Sequence, residues 1–443
     1  MKKMKKLPIF AFAALSIGAL SGLTSCGGNP IVDDKTDVSK PILVWAPAEE
    51  EQVIKAVIKE YNDKQTKETS KFNIEYQPVS EADGGPTLSK DPNVGGALVA
   101  VADDHISSLV EKETIWTLQG NIEKYTKEEN AGIAIEAASI DKKLYGFPIS
   151  NDNGYFLWYN KDKISDEQAK SVEGLIAATK NADGTYKKDM KILFDLPNGF
   201  YSAAPFFSSE VCGTKSLSYH HEKVEGKTAV KYSVNWDNPK GAAAAESLSK
   251  LLEPEYKAKN WVTGGNDVIA AGFTDDSMCA AVSGLWMEKE LSKLIGADKL
   301  GAVKLPTFKI AGKDAQLGSF AGTKLYVVNS TKPVAEQKAA IYLARLLTSK
   351  DAQLKRFELR NAIPTNLEAL KVDSYKKNTT AGQKALLAQS EFAAVQSLSA
   401  EGKYWDIGKG IGQAIIDGKL VKDEHTNYAT WTEFLKSQLD KLR

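Results

Sequence analysis

The stretch Leu144–Asp162 reads LYGFPISNDNGYFLWYNKD. Two apolar runs, Leu144–Ile149 and Tyr155–Tyr159, flank the polar cluster Ser150-Asn151-Asp152-Asn153-Gly154. Aromatic and β-branched residues in both runs predict strands, and the Asn/Asp/Gly cluster predicts a tight crossing between them. A short polar break between two buried strands is where a chain can pass from one lobe to another. It would leave a carboxylate and an amide facing the gap. Taken alone, the segment fits an ordinary surface hairpin equally well.

On the N-terminal side the pattern is strand, helix, strand, helix. Ile42–Trp45 is a short apolar strand, and Ile54, Val57, Ile58 and Tyr61 form the buried stripe of an amphipathic helix. Phe72–Gln77 alternates as a strand, Ala97–Ala102 is a continuous apolar run, and His105–Val110 has helical spacing. Such an order predicts a parallel open sheet, whose ligands bind outside the carboxyl ends of the strands. Those ends are followed by Glu49-Glu50, Glu81-Ala82-Asp83 and Asp103-Asp104, so the cleft edge should be rich in acceptors.

On the C-terminal side the pattern restarts. Ile192–Leu196, Met278–Val282, Leu300–Leu305 and Lys324–Val328 are predicted strands. Gly241–Leu252, Met287–Ile295, Val334–Leu347, Ala381–Val395 and Tyr428–Leu442 are predicted helices. Lys180–Met190 and Ser216–Asn235 read as insertions, a hairpin each. The length of 443 residues predicts two or three domains.

The extreme N-terminus is a targeting segment. Met1–Lys6 holds four lysines, and Leu7–Leu20 is an apolar run of about 14 residues, short of the roughly 20 of a bilayer span. Leu23-Thr24-Ser25-Cys26 follows and resembles a bacterial lipobox, which implies cleavage before Cys26 and lipidation of its thiol. The mature chain is then expected outside the cytoplasmic membrane, anchored by lipid through the flexible run Gly27–Lys40. Removing the four lysines leaves 53 basic against 57 acidic residues, without a basic stripe, so nucleic acid is not an expected partner. Cys212 and Cys279 are expected to be free thiols.

Catalytic and cofactor motifs are sparse. The glycines of Gly408-Lys409-Gly410-Ile411-Gly412 lack the dinucleotide fingerprint and follow no strand. His105, His220, His221 and His425 have no zinc-ligand spacing, and the pair His220-His221 is expected on the surface. No cofactor and no metal are expected. A glycosidase needs only two carboxylates, so an enzyme stays open as an alternative. Aromatic residues carry more. Trp286 follows Ser283-Gly284-Leu285, Trp405 lies in Gly402-Lys403-Tyr404-Trp405-Asp406, and Phe200-Tyr201 follows Leu196-Pro197-Asn198-Gly199. All stand just after loop signals, where apolar rings with a polar tip suit a partly wet binding surface.

With those pieces in order, the chain resembles a maltose-type extracellular solute-binding protein, the lipoprotein receptor of an ABC sugar importer. The resemblance rests on Ile42–Ala46, Lys143–Asp162, Ala281–Trp286, Gly301–Phe308, Gly318–Asn329 and Tyr404–Ile411. Gly146-Phe147-Pro148-Ile149 leading to Tyr159-Asn160-Lys161-Asp162 is similar to the family's first interdomain crossing. Val303-Lys304-Leu305-Pro306-Thr307-Phe308 and Phe320-Ala321-Gly322 resemble the approach to the second.

The resemblance implies a periplasmic-binding-protein-like α/β fold, with two interleaved lobes, a three-segment hinge and a central ligand cleft. The implied lobes are 41–150 with 325–368 and 151–324 with 369–443. The implied crossings lie near Asp152, Phe320–Tyr326 and Asn366–Val372. Implied stacking residues are Trp286, Trp405, Phe200 and Tyr201, with Asn198 just before the pair. Asp104 and Asp152 fall on hydroxyl-binding acids, and Glu49 or Glu50 on a first-loop contact. Asp83 and Asn153 are added from a gut-bacterial subset with a similar Glu-x-Asp loop, and the crossings contribute Tyr155 and Phe320. Val101 stands where the family offers another tryptophan, and His105 where it has an arginine, which leaves the identity of the sugar open. The implied partners are an oligosaccharide such as a maltodextrin and a membrane permease, the receptor itself being a monomer. A surface glycosidase or lyase, and a same-fold receptor for a non-sugar solute, are the alternatives.

Overall fold

The computed structural model describes residues 36–208, 211–399, 403–423 and 425–443. The expected signal segment, Cys26 with its lipidation, and most of the 26–40 tether lie outside the described residues.

Two sheets organise the chain. The first has the order Asn73–Pro78, Pro41–Ala46, Leu98–Ala102, Ser319–Val328, Ala393–Val395, with Phe147–Gly154 on the other edge of Ser319–Val328. Its three N-terminal strands are parallel, as the strand–helix alternation predicted, with the helix Glu51–Asn62 between the first two. The second has the order Trp261–Val262, Lys191–Leu193, Met278–Ser283, Phe156–Asn160, Leu300–Val303. Each sheet has its own core. Ile42, Val44, Leu98, Val99, Phe147, Leu325 and Val327 pack together in the first. In the second, Tyr155, Leu157 and Tyr159 face one apolar layer, while Phe156 and Trp158 face another. Alternate residues of a strand point to opposite faces, so a fully apolar run fits a strand covered on both sides.

The cluster Ser150–Gly154 is not the tight crossing that its composition predicted. It stays extended as the end of the Phe147–Gly154 strand, antiparallel to Ser319–Val328, with Gly154 opposite Ala321 and Ser150 opposite Lys324. Asn and Asp favour turns because their side chains compete for backbone groups. Here those side chains are engaged sideways instead. Asn151 Oδ1 accepts from Thr323 Oγ1 at 3.1 Å, and Asn153 Nδ2 donates to Gln396 Oε1 at 2.7 Å. The ladder therefore overrides local preference.

Other boundaries also move. The helix predicted over Ala381–Val395 ends at Ser390, and Ala393–Val395 becomes a strand beside Ser319–Ala321. The last helix is Trp431–Leu439. Lys180–Met190 forms only an isolated bridge between Lys180 and Tyr186. Leu217–Val224 and Lys227–Val234 do form the expected hairpin, turning at Glu225 and Gly226, both with positive φ. His221 on this hairpin is nearly buried, contrary to the surface expectation. Its backbone N–H donates to Asp141 Oδ2 at 3.3 Å, and its Nε2 lies 3.2 Å from Ser107 Oγ. Cys212 and Cys279 are unpaired.

Beneath the first sheet's carboxyl edge, Glu50 is buried against Arg356 (Nε to Oε2, 2.9 Å) and Arg360. Burial pushes the Glu50 carboxyl up, but the two guanidinium groups outweigh it and hold the group below the usual carboxylate range. Arg356→Ala would remove the fully buried one of its two guanidinium partners and leave Arg360 alone on that carboxylate, so urea unfolding should show a loss toward the lower end of about 3–5 kcal/mol. Unchanged stability would contradict this assignment.

Candidate functional site

The carboxyl ends of the parallel strands form two rims. On the second sheet, the Lys191–Leu193 strand leads into Asp195 and the short helix Gly199–Ser202, which carries Phe200 and Tyr201. Asn198, exposed, caps that helix by accepting the Phe200 N–H at 3.0 Å. The Trp261–Val262 strand leads to Gly264, whose N–H reaches Asp195 Oδ1 at 3.3 Å. The Met278–Ser283 strand leads to Gly284 and Trp286. Trp286 is 42 % exposed, large for a tryptophan, and its Nε1 donates to Asn266 Oδ1 at 3.1 Å. Its ring lies over Gly284, where a Cβ would come within 2.1 Å of it. The turn needs glycine so that the flat ring can settle there.

Trp405 enters this rim from the helix Lys403–Asp417. Its ring is half-buried and meets Phe200 edge-on at 5.9 Å between centroids and Phe320 at 5.0 Å. The glycines of Gly408–Gly412, which matched no phosphate-binding motif, have a packing role. A Cβ on Gly412 would lie 1.8 Å from Leu196 O, so the helix seats directly on the loop before Phe200. Tyr201 is half-buried, edge-on to Tyr155 and Phe194.

Two expected contacts prove to be the support under these rings. Tyr155 and Phe320 are fully buried. The Phe320 N–H donates to the Tyr155 hydroxyl at 3.3 Å, and the Phe320 ring packs among Phe200, Phe207, Tyr404 and Trp405. Neither is available to a solute, because both point into the second core.

The first rim sorts the acids into paired and unpaired. Glu50 is removed from the candidates because Arg356 and Arg360 occupy its carboxylate. Glu49 is exposed, with Arg360 Nη2 at 3.2 Å. Asp83 is exposed in the first turn of the helix Glu81–Lys90, and its Oδ2 accepts from Ser80 Oγ at 2.6 Å. Asp152 accepts from Ser150 Oγ at 3.1 Å and lies close to Lys324. Lys324, mostly buried, is 3.4 Å from Glu81 Oε1. Asp152 first, then Glu81, raise the Lys324 ammonium above its usual range against the pull of burial. Asp104 is different. Its side chain is only 14 % exposed, His105 Nε2 lies 3.9 Å away, and its Oδ1 has no hydrogen-bond partner among the described residues.

One strand connects the rims. Phe320 packs under Phe200 and Trp405, while Lys324, four residues on, meets Glu81. At about 3.3 Å per residue, that sets them roughly 13 Å apart along the strand. Sequence reasoning missed Lys324, Asn266 and Gln396, and it placed Asp103 with the acceptors of the cleft edge although that residue is fully buried. Lys324 sits in a predicted strand with no local sign of its partners, and Asn266 is 20 residues from the indole that it binds. Among the described residues no His, Cys, Asp or Glu group is placed to hold a metal ion, and no helix is long and apolar enough to cross a membrane.

The profile of the bacterial extracellular solute-binding proteins matches residues 56–383, about three quarters of the chain. No curated protein matches at a significant level. Many solved structures share the fold. The maltodextrin binding protein MalE1 from L. casei BL23, without ligand, is 19 % identical with a TM-score of 0.74, covering 91 % of this chain and 99 % of that one. An extracellular solute-binding protein from Staphylococcus aureus in complex with maltose is 18 % identical with a TM-score of 0.68, covering 93 % and 98 %. The maltose/maltodextrin-binding domain MalE from Bdellovibrio bacteriovorus, bound to maltotriose, is 18 % identical with a TM-score of 0.62, covering 90 % and 99 %. At these identities the likeness shows a shared fold.

Gly412→Ala should push the Trp405 helix off the Leu196 carbonyl. Overpacking of this kind costs at least about 1–3 kcal/mol. A lowered thermal midpoint with an altered near-ultraviolet tryptophan signal is expected; an unchanged signal would contradict the packing described.

Proposed function

Because the chain belongs to the bacterial extracellular solute-binding proteins, we propose that it captures a sugar, an oligosaccharide such as a maltodextrin, and delivers it to an ABC permease in the membrane. The observation that carries this reading is the pairing of an exposed indole rim with an unpaired buried carboxylate oxygen at the opposite rim. Trp286 and Trp405, with Phe200 and Tyr201, offer flat apolar faces for the C–H side of sugar rings. Asp104 Oδ1 lacks a donor among the described residues, and a ligand hydroxyl would supply one. The sugar-bound state of similar folds from Staphylococcus aureus and Bdellovibrio bacteriovorus adds support.

The proposed lobes are 41–150 with 325–368 and 151–324 with 369–443. Three segments would bend between them. Phe147–Gly154 and Ser319–Val328 run from one core to the other as a hydrogen-bonded pair. The third was expected at Asn366–Val372 and would begin a few residues earlier, since Ile363 joins the second core while Thr365 and Asn366 bond to Gln353. In the open state each rim meets the solute alone. Closure brings both onto one ligand and excludes water, so the ligand favours the closed state only through the contacts added there. Stacking at roughly 0.5–1.5 kcal/mol per ring beyond area burial supplies part of the ~8 kcal/mol of a micromolar receptor. Charge-assisted hydrogen bonds to Asp104 supply more; Asp152 contributes less than its sequence position implied, because the Lys324 ammonium already lies close to it. Lipidation at Cys26 would anchor the receptor at the membrane surface, acting as a monomer.

Calorimetry against maltose, maltotriose and longer maltodextrins tests the reading. Trp286→Ala and Trp405→Ala should each weaken binding at least about tenfold, the loss of one stacked and buried ring. Binding that ignores both substitutions, or sugar cleaved on incubation, would count against a receptor of this design.

A further inference from the structure

At the carboxyl end of the Leu98–Ala102 strand, three neighbouring side-chain atoms are buried without a hydrogen-bond partner among the described residues. They are Asp103 Oδ1, Asp104 Oδ1 and His105 Nδ1. Asp104 lies on the rim, but Asp103 is fully buried and no solute can touch it directly. Its other oxygen, Oδ2, accepts the Ser397 N–H at 3.2 Å, and the Thr323 backbone N–H is close enough to favour a negative charge on this carboxyl. Ser397 belongs to the turn Gln396–Ser399, just before the helix that carries Trp405. Thr323 is next to Lys324. One carboxyl thus fastens the Asp104 loop to the turn that precedes the Trp405 helix, with the strand between the rims alongside.

The charges around Asp103 leave it nothing to pair with. On its own turn stand Asp104, a like charge, and His105, which lies beside Asp104. The adjoining strand offers Lys324, but Glu81 and Asp152 take its ammonium. From the helix Glu81–Lys90 come only the acids Glu81 and Asp83 in the first turn. Gln396 and Ser397 are neutral, as are Ser107 and Ser108 of the helix that follows. A carboxylate here would be dehydrated, next to a like charge, with one oxygen unmatched, so the uncharged form is favoured.

We propose that Asp103 is a positioning residue for ligand capture, an uncharged acid that holds the Asp104 loop to the segment entering Trp405. The proposal rests on the reading above that Asp104 and Trp405 meet the ligand. Burial first, and then Asp104, push the Asp103 carboxyl well above its usual range, against the backbone N–H groups that lower it. The unfolded chain gives up this proton near pH 4, whereas the folded protein keeps it. Its contribution to stability is therefore full below about pH 4 and is lost as pH rises toward the native value.

Asp103→Asn accepts the same N–H groups and cannot ionise. Thermal midpoints of wild type and Asp103→Asn, without ligand, are compared from pH 4 to pH 9. The variant's advantage should grow with pH, and a difference constant across that range would overturn the uncharged assignment. Maltotriose calorimetry on the same proteins supplies the second arm. Wild-type affinity should fall as pH rises and Asp103 ionises, while Asp103→Asn should match wild-type affinity at about pH 6 and hold it at higher pH. Asp103→Leu, or Ser397→Pro, which removes one donor, should weaken binding about tenfold, the worth of a lost buried hydrogen bond. Wild-type affinity in both of these would overturn the positioning role. Should no maltodextrin bind at all, the sugar reading fails while the midpoint comparison still decides the state of Asp103.

Discussion

The structure depends on one ladder, the antiparallel pairing of Phe147–Gly154 with Ser319–Val328. Both strands begin in one core and end at or in the other, so the two sheets share a hydrogen-bonded seam rather than a loose linker. A pair of bonded strands bends more readily than it slides. Its register therefore fixes which residues meet at the floor between the rims. Phe320 is held under the aromatic side and Lys324 under the acidic side of the same strand. The other edge of Ser319–Val328 is occupied by Ala393–Val395 and Leu98–Ala102. That edge brings Gln396 and Ser397 beside Asn153 and Asp103.

Electrostatics then sorts the acids that the strand ends place together. A cluster of carboxylates in a partly dehydrated rim is unstable unless most are matched. Arg356 and Arg360 match Glu50, and Lys324 matches Glu81 and Asp152. What remains unmatched is Asp104, with Asp103 behind it. The acidic rim thus leaves one buried carboxylate oxygen on its edge without a donor among the described residues, amid neighbours that have partners. The aromatic side shows a parallel sorting by depth. Tyr155 and Phe320 form a buried layer, Phe200, Tyr201 and Trp405 a half-buried one, and Trp286 stands furthest out.

Much of this architecture was legible in the chain. Apolar runs covered on both faces, such as Phe156–Asn160, and the stripe of Val53, Ile54, Val57 and Ile58 declare themselves through periodicity. The aromatics after loop signals were also found, because a turn followed by tryptophan is a local pattern. Depth was not local. Phe320 and Trp405 look alike in sequence, yet one faces the core and the other the rim, and only the pairing of distant strands decides which. Glu50 looked like a ligand contact because its partners lie about 300 residues away. The role of Lys324 and the burial of Asp103 were hidden for the same reason, since Glu81 and Ser397 lie far off along the chain. The polar run Ser150–Asn153 was misread as a turn, since its amides find partners only across the sheet.

The central claim is that a sugar closes two rims about this seam. Small-angle X-ray scattering of the chain from residue 36 onward, with and without maltotriose at saturating concentration, tests it most directly. The account predicts a smaller radius of gyration when the sugar is bound, with Trp286→Ala and Trp405→Ala proteins staying at the unliganded value. Sugar bound with no change in the scattering curve would contradict it.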